Sequence, residues 1–421
     1  MRKIILALTL TLFANLFITP TTYAETAEEY FLQGNQFYRE NKYEQAIEAY
    51  NKFIKLNPNE YQVYYNRGLS YANLNQYENA IADFTKTIEL NSNNSLFYYA
   101  RGLSYHHLNQ YENTIADFTK AIELDPLNPS YYIDRGYSYR QLQENKKAIE
   151  DYSKAIELNP ENSKAYNNRG NSYSTLENYK KSLEDHSKAI QIDPSNPTFY
   201  YNRGSVYQTL KQNEKAIEDY TKAIEINPNY LEAYINRGNS FSHLEQYETA
   251  IEDYSKAIQI NPNHLNSYFN RGLAYAKFNQ YENAIEDFTE TIELNPRHIG
   301  AYISRALSYS KMNQHENAID DFTKIIELTP DNPESYSYRG RVYADSGQYE
   351  KGVQDLTYSL KLEPNSIVSN FHLASCYEKL RNTPKAIEHY EICLAMAEKN
   401  PNRISKETFR EIKQRLAKLK K

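Results

Sequence analysis

Glycines recur along this chain at a fixed step of 34 residues: Gly34, Gly68, Gly102, Gly136, Gly170, Gly204, Gly238 and Gly272, then Ala306, Gly340 and Ala374. Pro58, Pro126, Pro160, Pro194, Pro228, Pro262, Pro296, Pro330 and Pro364 keep the same step. Nine of the 12 glycines and nine of the 15 prolines therefore belong to one frame and punctuate a repeating unit. Eleven such units tile residues 27–400 without insertion. A unit of this size cannot bury an apolar face alone, so it must stack on its neighbours into an extended array.

Each unit reads as two helices. With the recurrent glycine called position 8, Tyr166, Arg169, Gly170 and Tyr173 fall at positions 4, 7, 8 and 11, the spacing of one helix face, which is expected to be the core stripe. Position 8 is small so that a second helix approaches closely. That helix shows in repeat six as Ala216, Ile217, Tyr220, Ala223, Ile224 and Ile226, and Pro228 stops it. No strand pattern occurs, so the fold class is all-α.

The arrangement resembles the tetratricopeptide repeat (TPR), whose signature places an aromatic at 4, Gly at 8, Tyr at 11, Ala at 20, an aromatic at 24, Ala at 27 and Pro at 32. Repeat seven carries Tyr234, Gly238, Phe241, Ala250, Tyr254, Ala257 and Pro262 at those places. Local departures are Ser92 for proline, His186 for the aromatic and Gly352 for alanine. The resemblance implies an α-solenoid, a right-handed superhelix of antiparallel helix pairs whose concave groove holds other polypeptides. Residues 401–421 read as a basic amphipathic capping helix, with Ile404, Phe409, Ile412, Leu416 and Leu419 as its apolar stripe.

On the first helix of each repeat, positions 2, 6, 9 and 13 lie opposite the expected core stripe and should line the groove. Position 6 is asparagine at Asn66, Asn168, Asn202, Asn236 and Asn270, and Asn171 and Asn239 add amides at position 9. A carboxamide donates and accepts, so such a row matches the N–H and C=O groups of an extended peptide. It is similar to the asparagine ladder of the TPR superhelix in O-linked N-acetylglucosamine transferases, although repeats one, three, four, nine, ten and eleven carry Leu32, Ala100, Asp134, Ser304, Tyr338 and His372 at position 6. Tyr65, Tyr99 and Tyr137 make the groove of repeats two to four more apolar, a surface for hydrophobic anchors. The carboxylate clamp of TPR co-chaperones needs a basic residue at position 5 of its first repeat, and position 5 is nowhere basic here.

Arginine at position 7 is matched by aspartate at position 23 in nine repeats: Arg67–Asp83, Arg101–Asp117, Arg135–Asp151, Arg169–Asp185, Arg203–Asp219, Arg237–Asp253, Arg271–Asp287, Arg305–Asp321 and Arg339–Asp355. Repeats one and eleven lose both partners together, with Gln33 and Ala49, and Leu373 and His389. Pairing within a repeat leaves no orphan, so these nine are expected to be buried structural ion pairs and not an anion site. Glu150/Lys154, Glu184/Lys188, Glu218/Lys222 and Glu252/Lys256 read as surface i, i+4 pairs. Cys376 and Cys393 occupy positions too far apart along an antiparallel pair to bridge and are expected as free thiols, Cys393 in the core and Cys376 off the core stripe.

At the N-terminus, Arg2 and Lys3 precede the apolar run from Ile4 to Ile18, and Thr22-Tyr23-Ala24 offers a cleavage point. Residues 1–24 thus read as a signal peptide, giving an exported chain, periplasmic or secreted, that is soluble and has no transmembrane span after cleavage. The tail from residue 401 carries +6 and residues 25–400 carry −14. With no large basic block, nucleic acid is excluded as a partner. No phosphate-cradling glycine loop, metal set or catalytic triad stands out from the repeat register, and adjacent His106 and His107 point apart on a helix, so no cofactor and no enzyme activity are expected. The sequence therefore reads as a non-enzymatic scaffold for a peptide segment or protein partner. The alternative is a carbohydrate-binding or enzymatic protein that uses the tyrosine-rich groove as a stacking platform.

Overall fold

The computed structural model describes residues 26–399 and 405–421, which are helical apart from short turns. The signal reading for residues 1–24 lies outside the described residues, as does Ile404 of the proposed cap stripe. The chain forms two compact units, one ending at Asp185 and one beginning at His186.

In the first unit the helix pairs are α1 (Ala27–Arg39) with α2 (Tyr43–Leu56), α3 (Tyr61–Asn73) with α4 (Tyr77–Leu90), and α5 (Ser95–His107) with α6 (Tyr111–Leu124). α7 (Pro129–Gln141) pairs with α8 (Asn145–Leu158), and α9 (Ser163–Thr175) is followed by α10 (Tyr179–Ile192), within which the division falls. The second unit continues with α11 (Pro197–Thr209), α12 (Asn213–Ile226), α13 (Leu231–His243), α14 (Tyr247–Ile260), α15 (Leu265–Lys277) and α16 (Tyr281–Leu294). It closes with α17 (Ile299–Lys311), α18 (His315–Leu328), α19 (Pro333–Asp345), α20 (Tyr349–Leu362), α21 (Ile367–Lys379), α22 (Thr383–Lys399) and α23 (Lys406–Leu419). In each unit, a helix packs on its pair partner and on the first helix of the next repeat, the stacking of an α-solenoid.

Close approach is what the recurrent glycine permits. A Cβ at Gly34 would lie 2.5 Å from the Tyr50 ring, and one at Gly68 2.7 Å from Phe84, because the aromatic at position 24 sits on the glycine backbone. Between the helices of a pair, the residue at position 15 adopts φ of 57–62° in Asn41, Asn75, Asn109, Gln143, Glu177, Lys211, Glu245, Asn279, Asn313 and Arg381, and 80° in Gly347. This left-handed residue ends the first helix and turns the chain, as in common helix C-caps.

The core face is wider than the sequence expectation of positions 4, 8 and 11. Positions 3 and 10 are the deeply buried ones, as in Val63 and Ser70, Phe97 and Ser104, or Ala301 and Ser308. Position 4 is buried as well in Tyr64, Tyr98, Tyr132, Tyr200 and Tyr302, whereas position 11 is half-buried, and both flank the arginine: Tyr64 and Tyr71 place their rings 5.6 and 5.9 Å from Arg67, and Tyr268 and Tyr275 do the same for Arg271 at 5.8 Å each. The first helix is covered on two sides, by its own partner and by the adjacent repeat, so its buried face is wider than one i, i+3, i+4 stripe. Cys376 at position 10 is consequently fully buried, beside Leu356 and Leu373, and not off the core; both cysteines are free. The repeat-ending proline also has a second use. Its carbonyl accepts the Tyr hydroxyl of the next repeat, Tyr64 to Pro58 at 3.0 Å and Tyr132 to Pro126 at 3.1 Å.

The nine Arg/Asp couples meet with closest N–O distances of 2.6–2.8 Å, arginine side chains keeping 16–22% of their exposure and aspartates 5–12%. The surface pairs are corrected by one turn: Lys154 and Lys222 reach forward to Glu157 and Glu225 at i, i+3, and Lys188 and Lys256 to Gln191 and Gln259. At the C-terminus, α23 buries Ile412 against Tyr390 and Cys393, with Leu416 and Leu419 beside it. Arg415 adds bonds to Glu378 and Glu411.

Candidate functional site

The amides of the expected row do not stand free side by side; many are bonded across repeats. In the first unit, Asn66 donates to Asn35 Oδ1 at 2.8 Å, and the same oxygen accepts from Tyr50 at 2.8 Å. The motif recurs in the second unit, where Asn239 Oδ1 accepts from Tyr254 at 2.7 Å and from Asn270 Nδ2 at 3.1 Å. Asn236 uses a different partner, donating to the Tyr201 hydroxyl at 3.0 Å. Asn168, Asn171 and Asn202 are half-buried on the first helices of repeats five and six. Asn35 was not singled out by the sequence reading, although its position 9 register marks it as the counterpart of Asn239.

The three tyrosines are all half-buried and differ in what they pack against. Tyr65 packs 5.0 Å from the Phe97 ring and 5.7 Å from Phe84, and Tyr99 packs 4.8 Å from Tyr131 and 5.4 Å from Phe118. Both pack between neighbouring repeats while staying half-buried, so each offers the groove only part of its ring. Tyr137 lies half-exposed between His106, 5.2 Å away, and the Arg140 guanidinium, also at 5.2 Å. His107 stacks on Tyr77 at 4.5 Å.

The second unit contains a cleft of about 610 Å³ between the first helices of repeats six to eight. Asn239 and Asn270 line it together with Ser242, Tyr254, Leu273 and Ala274, and His243 and Lys277 stand at position 13. Burial pushes the Tyr254 hydroxyl up to about 12, so it stays a donor, and it fixes Asn239. Asn239 Oδ1 is thereby saturated. Among the described residues nothing bonds Asn239 Nδ2 or Asn270 Oδ1, which leaves one donor and one acceptor facing the cleft beside Leu273, an exposed apolar side chain. Gln208 forms the far wall, held by Tyr220, Ser240 and the Asn236 carbonyl. Sequence reasoning missed Gln208, His243 and Lys277 individually, yet the last two occupy position 13 of the face it named.

The nine arginines also bond across repeats. Nη1 of each reaches position 25 of the preceding repeat: Thr85, Thr119, Ser153, Ser187, Thr221, Ser255, Thr289 and Thr323 at 2.9–3.1 Å, and Asn51 from Arg67. All three guanidinium nitrogens of each arginine thus donate to the chain's own groups, as a structural residue requires. Among the described residues no group of three His, Cys, Asp or Glu is arranged to hold a metal, and no helix is long and apolar enough to cross a membrane.

The helix pairs, the glycine or alanine at each crossing and the stacking of each repeat on the next define a solenoid repeat protein of the TPR class. Tetratricopeptide family models match residues 61–94, 95–128, 163–196, 197–230, 231–264 and 266–298, and related TPR models match 34–75, 136–176, 299–332, 322–354 and 371–404. The chain belongs to the tetratricopeptide repeat family. Among solved structures it is similar to YrrB, described as a TPR protein with an unusual peptide-binding site, at 29% identity over 44% of this chain and 95% of that one, TM-score 0.39. It is also similar to MamA of Desulfovibrio magneticus RS-1, at 22% identity over 39% of this chain and 94% of that one, TM-score 0.38. Yeast Tom70 aligns at 17% identity over 94% of this chain and 95% of the other, TM-score 0.38. No curated protein matches the sequence.

Proposed function

We propose that this protein is an exported, non-enzymatic scaffold that holds an extended polypeptide segment against the first helices of its repeats. The observation that carries the reading is the cleft of the second unit, where Asn239 Nδ2 and Asn270 Oδ1 are left for a ligand next to Leu273. A peptide main chain offers the complementary pair of groups at every residue, and Leu273 with Ala274 supports an apolar side chain. The export reading rests on Arg2, Lys3 and the apolar run that follows.

The test is selection of a phage-displayed random nonapeptide library on the protein, followed by titration of the enriched peptides. Changing Asn236, Asn239 and Asn270 together to Ala should weaken them by about tenfold or more while circular dichroism stays helical. Enriched peptides that bind this variant unchanged, or a library that yields none while a glycan array yields ligands, would overturn the reading.

A further inference from the structure

Asp134 in repeat four occupies the place that asparagine fills in repeats two and five to eight. Its Oδ2 accepts a hydrogen bond from the Tyr99 hydroxyl at 2.6 Å. The side chain is half-buried, and among the described residues no Lys, Arg or His comes within ion-pair distance of it, whereas each of the nine position 23 aspartates has its arginine. Burial holds its carboxyl above the usual carboxylate range, pulled back in part by Tyr99 and by the exposed Lys164 of α9. A carboxylate withdrawn from water with one hydroxyl partner and no cation is a state that folded chains seldom keep without use.

Its surroundings point the same way. Tyr99 and Tyr137, one from the preceding repeat and one a turn along α7, bring aromatic rings to this part of the groove. Behind them the Tyr152 hydroxyl is fully buried and has no hydrogen-bond partner. The equivalent hydroxyls are all engaged at positions 9 or 12 of their own first helices: Tyr50 with Asn35, Tyr220 with Gln208 and Tyr254 with Asn239. In repeat four those positions are Tyr137 and Arg140, and the charges of Arg140 and Asp134 both act on the unpartnered hydroxyl, in opposite directions.

On the groove-binding reading above, we propose that Asp134, flanked by Tyr99 and Tyr137, is a subsite for a basic side chain, Arg or Lys, of the polypeptide held by the first unit. The carboxylate supplies the ion pair, and the part of the half-buried Tyr99 ring left open to the groove supplies an aromatic face, the Tyr137 ring already carrying Arg140. The −14 charge on residues 25–400 favours the approach of a basic segment.

The experiment compares two probes on the whole protein, Ac-GSGRGSG-NH2 and the same peptide with neutral citrulline for arginine, by ligand-observed NMR titration. The arginine peptide should bind at least about fivefold tighter to the wild type. In Asp134→Asn, which installs the asparagine that repeat five carries at this position and should keep the fold, the preference should fall below about twofold. The exposed control Glu161→Gln should leave it unchanged. Equal binding of both peptides to the wild type sinks the subsite while leaving groove binding intact. Failure of both peptides to bind counts against the groove reading as well. A preference that survives in Asp134→Asn, or is lost in Glu161→Gln, assigns it to overall charge and overturns the proposal.

Discussion

At the scale of single residues, this chain buries polar groups where they can be bonded twice. Arg203 holds Asp219 by two bonds, at 2.9 and 2.7 Å, and reaches Ser187 of the preceding repeat at 3.0 Å. Losing Arg203 alone (Arg203→Leu) strands Asp219 and should cost roughly 3–5 kcal/mol, whereas Arg203→Leu with Asp219→Ala should be far less costly. Urea denaturation of the double-mutant cycle reads the coupling, and additive costs would contradict it. His186 is the opposite case. It replaces the aromatic of position 24, neither ring nitrogen has a partner, and burial pushes its pKa down to about 4. The unfolded chain takes up a proton near 6.5 that the folded chain resists to about 4, so stability present above pH 6.5 is lost as pH falls through that window. His186→Phe should raise stability by roughly 1–3 kcal/mol and flatten the slope between those pH values, measured by thermal melts from pH 7 to 4.

Helices and turns carry the next level. The left-handed residue at position 15 is Asn in five repeats but Glu177, Glu245, Lys211, Gln143 or Arg381 in others. A side chain with a Cβ pays about 1–2 kcal/mol there. Glu177→Gly and Lys211→Gly should each stabilise by about 1 kcal/mol, and Gly347→Ala should destabilise by a similar amount; melting temperatures that move the other way would refute this. The helix pairs, their boundaries at the prolines and the small residue at each crossing were legible because they repeat eleven times in register. What was not legible is which side of the first helix is deepest. Tyr at 4 and 11 looks like a core stripe, yet those rings sandwich an arginine, while Ser70 and Ser104 at position 10 are buried with their hydroxyls satisfied by Asn66 and Ala100 carbonyls. A serine looks like surface in a sequence, and only the bond four residues back makes it interior.

Across the molecule, each unit is a stack in which a repeat touches its neighbours, so stability is built from pair and interface terms. The end needs a cover. Ile412 of α23 is fully buried, and Ile412→Ala should cost about 2–5 kcal/mol, read as early exchange of the α21 and α22 amides. The amide row was legible from its register, but its availability was not. The orientation of one repeat on the next decides that Asn239 gives its oxygen to Tyr254 and Asn270, which leaves the cleft one donor and one acceptor in place of a full set of carboxamides. The most direct test of the account is carbene footprinting of the protein with and without a peptide selected on it. Labelling should fall at Leu273, His243 and Lys277 and stay unchanged at Leu294 and Tyr358, which are exposed on second helices. Protection at Leu294 or Tyr358 with Leu273 still labelled would place the ligand on the other face and contradict the groove.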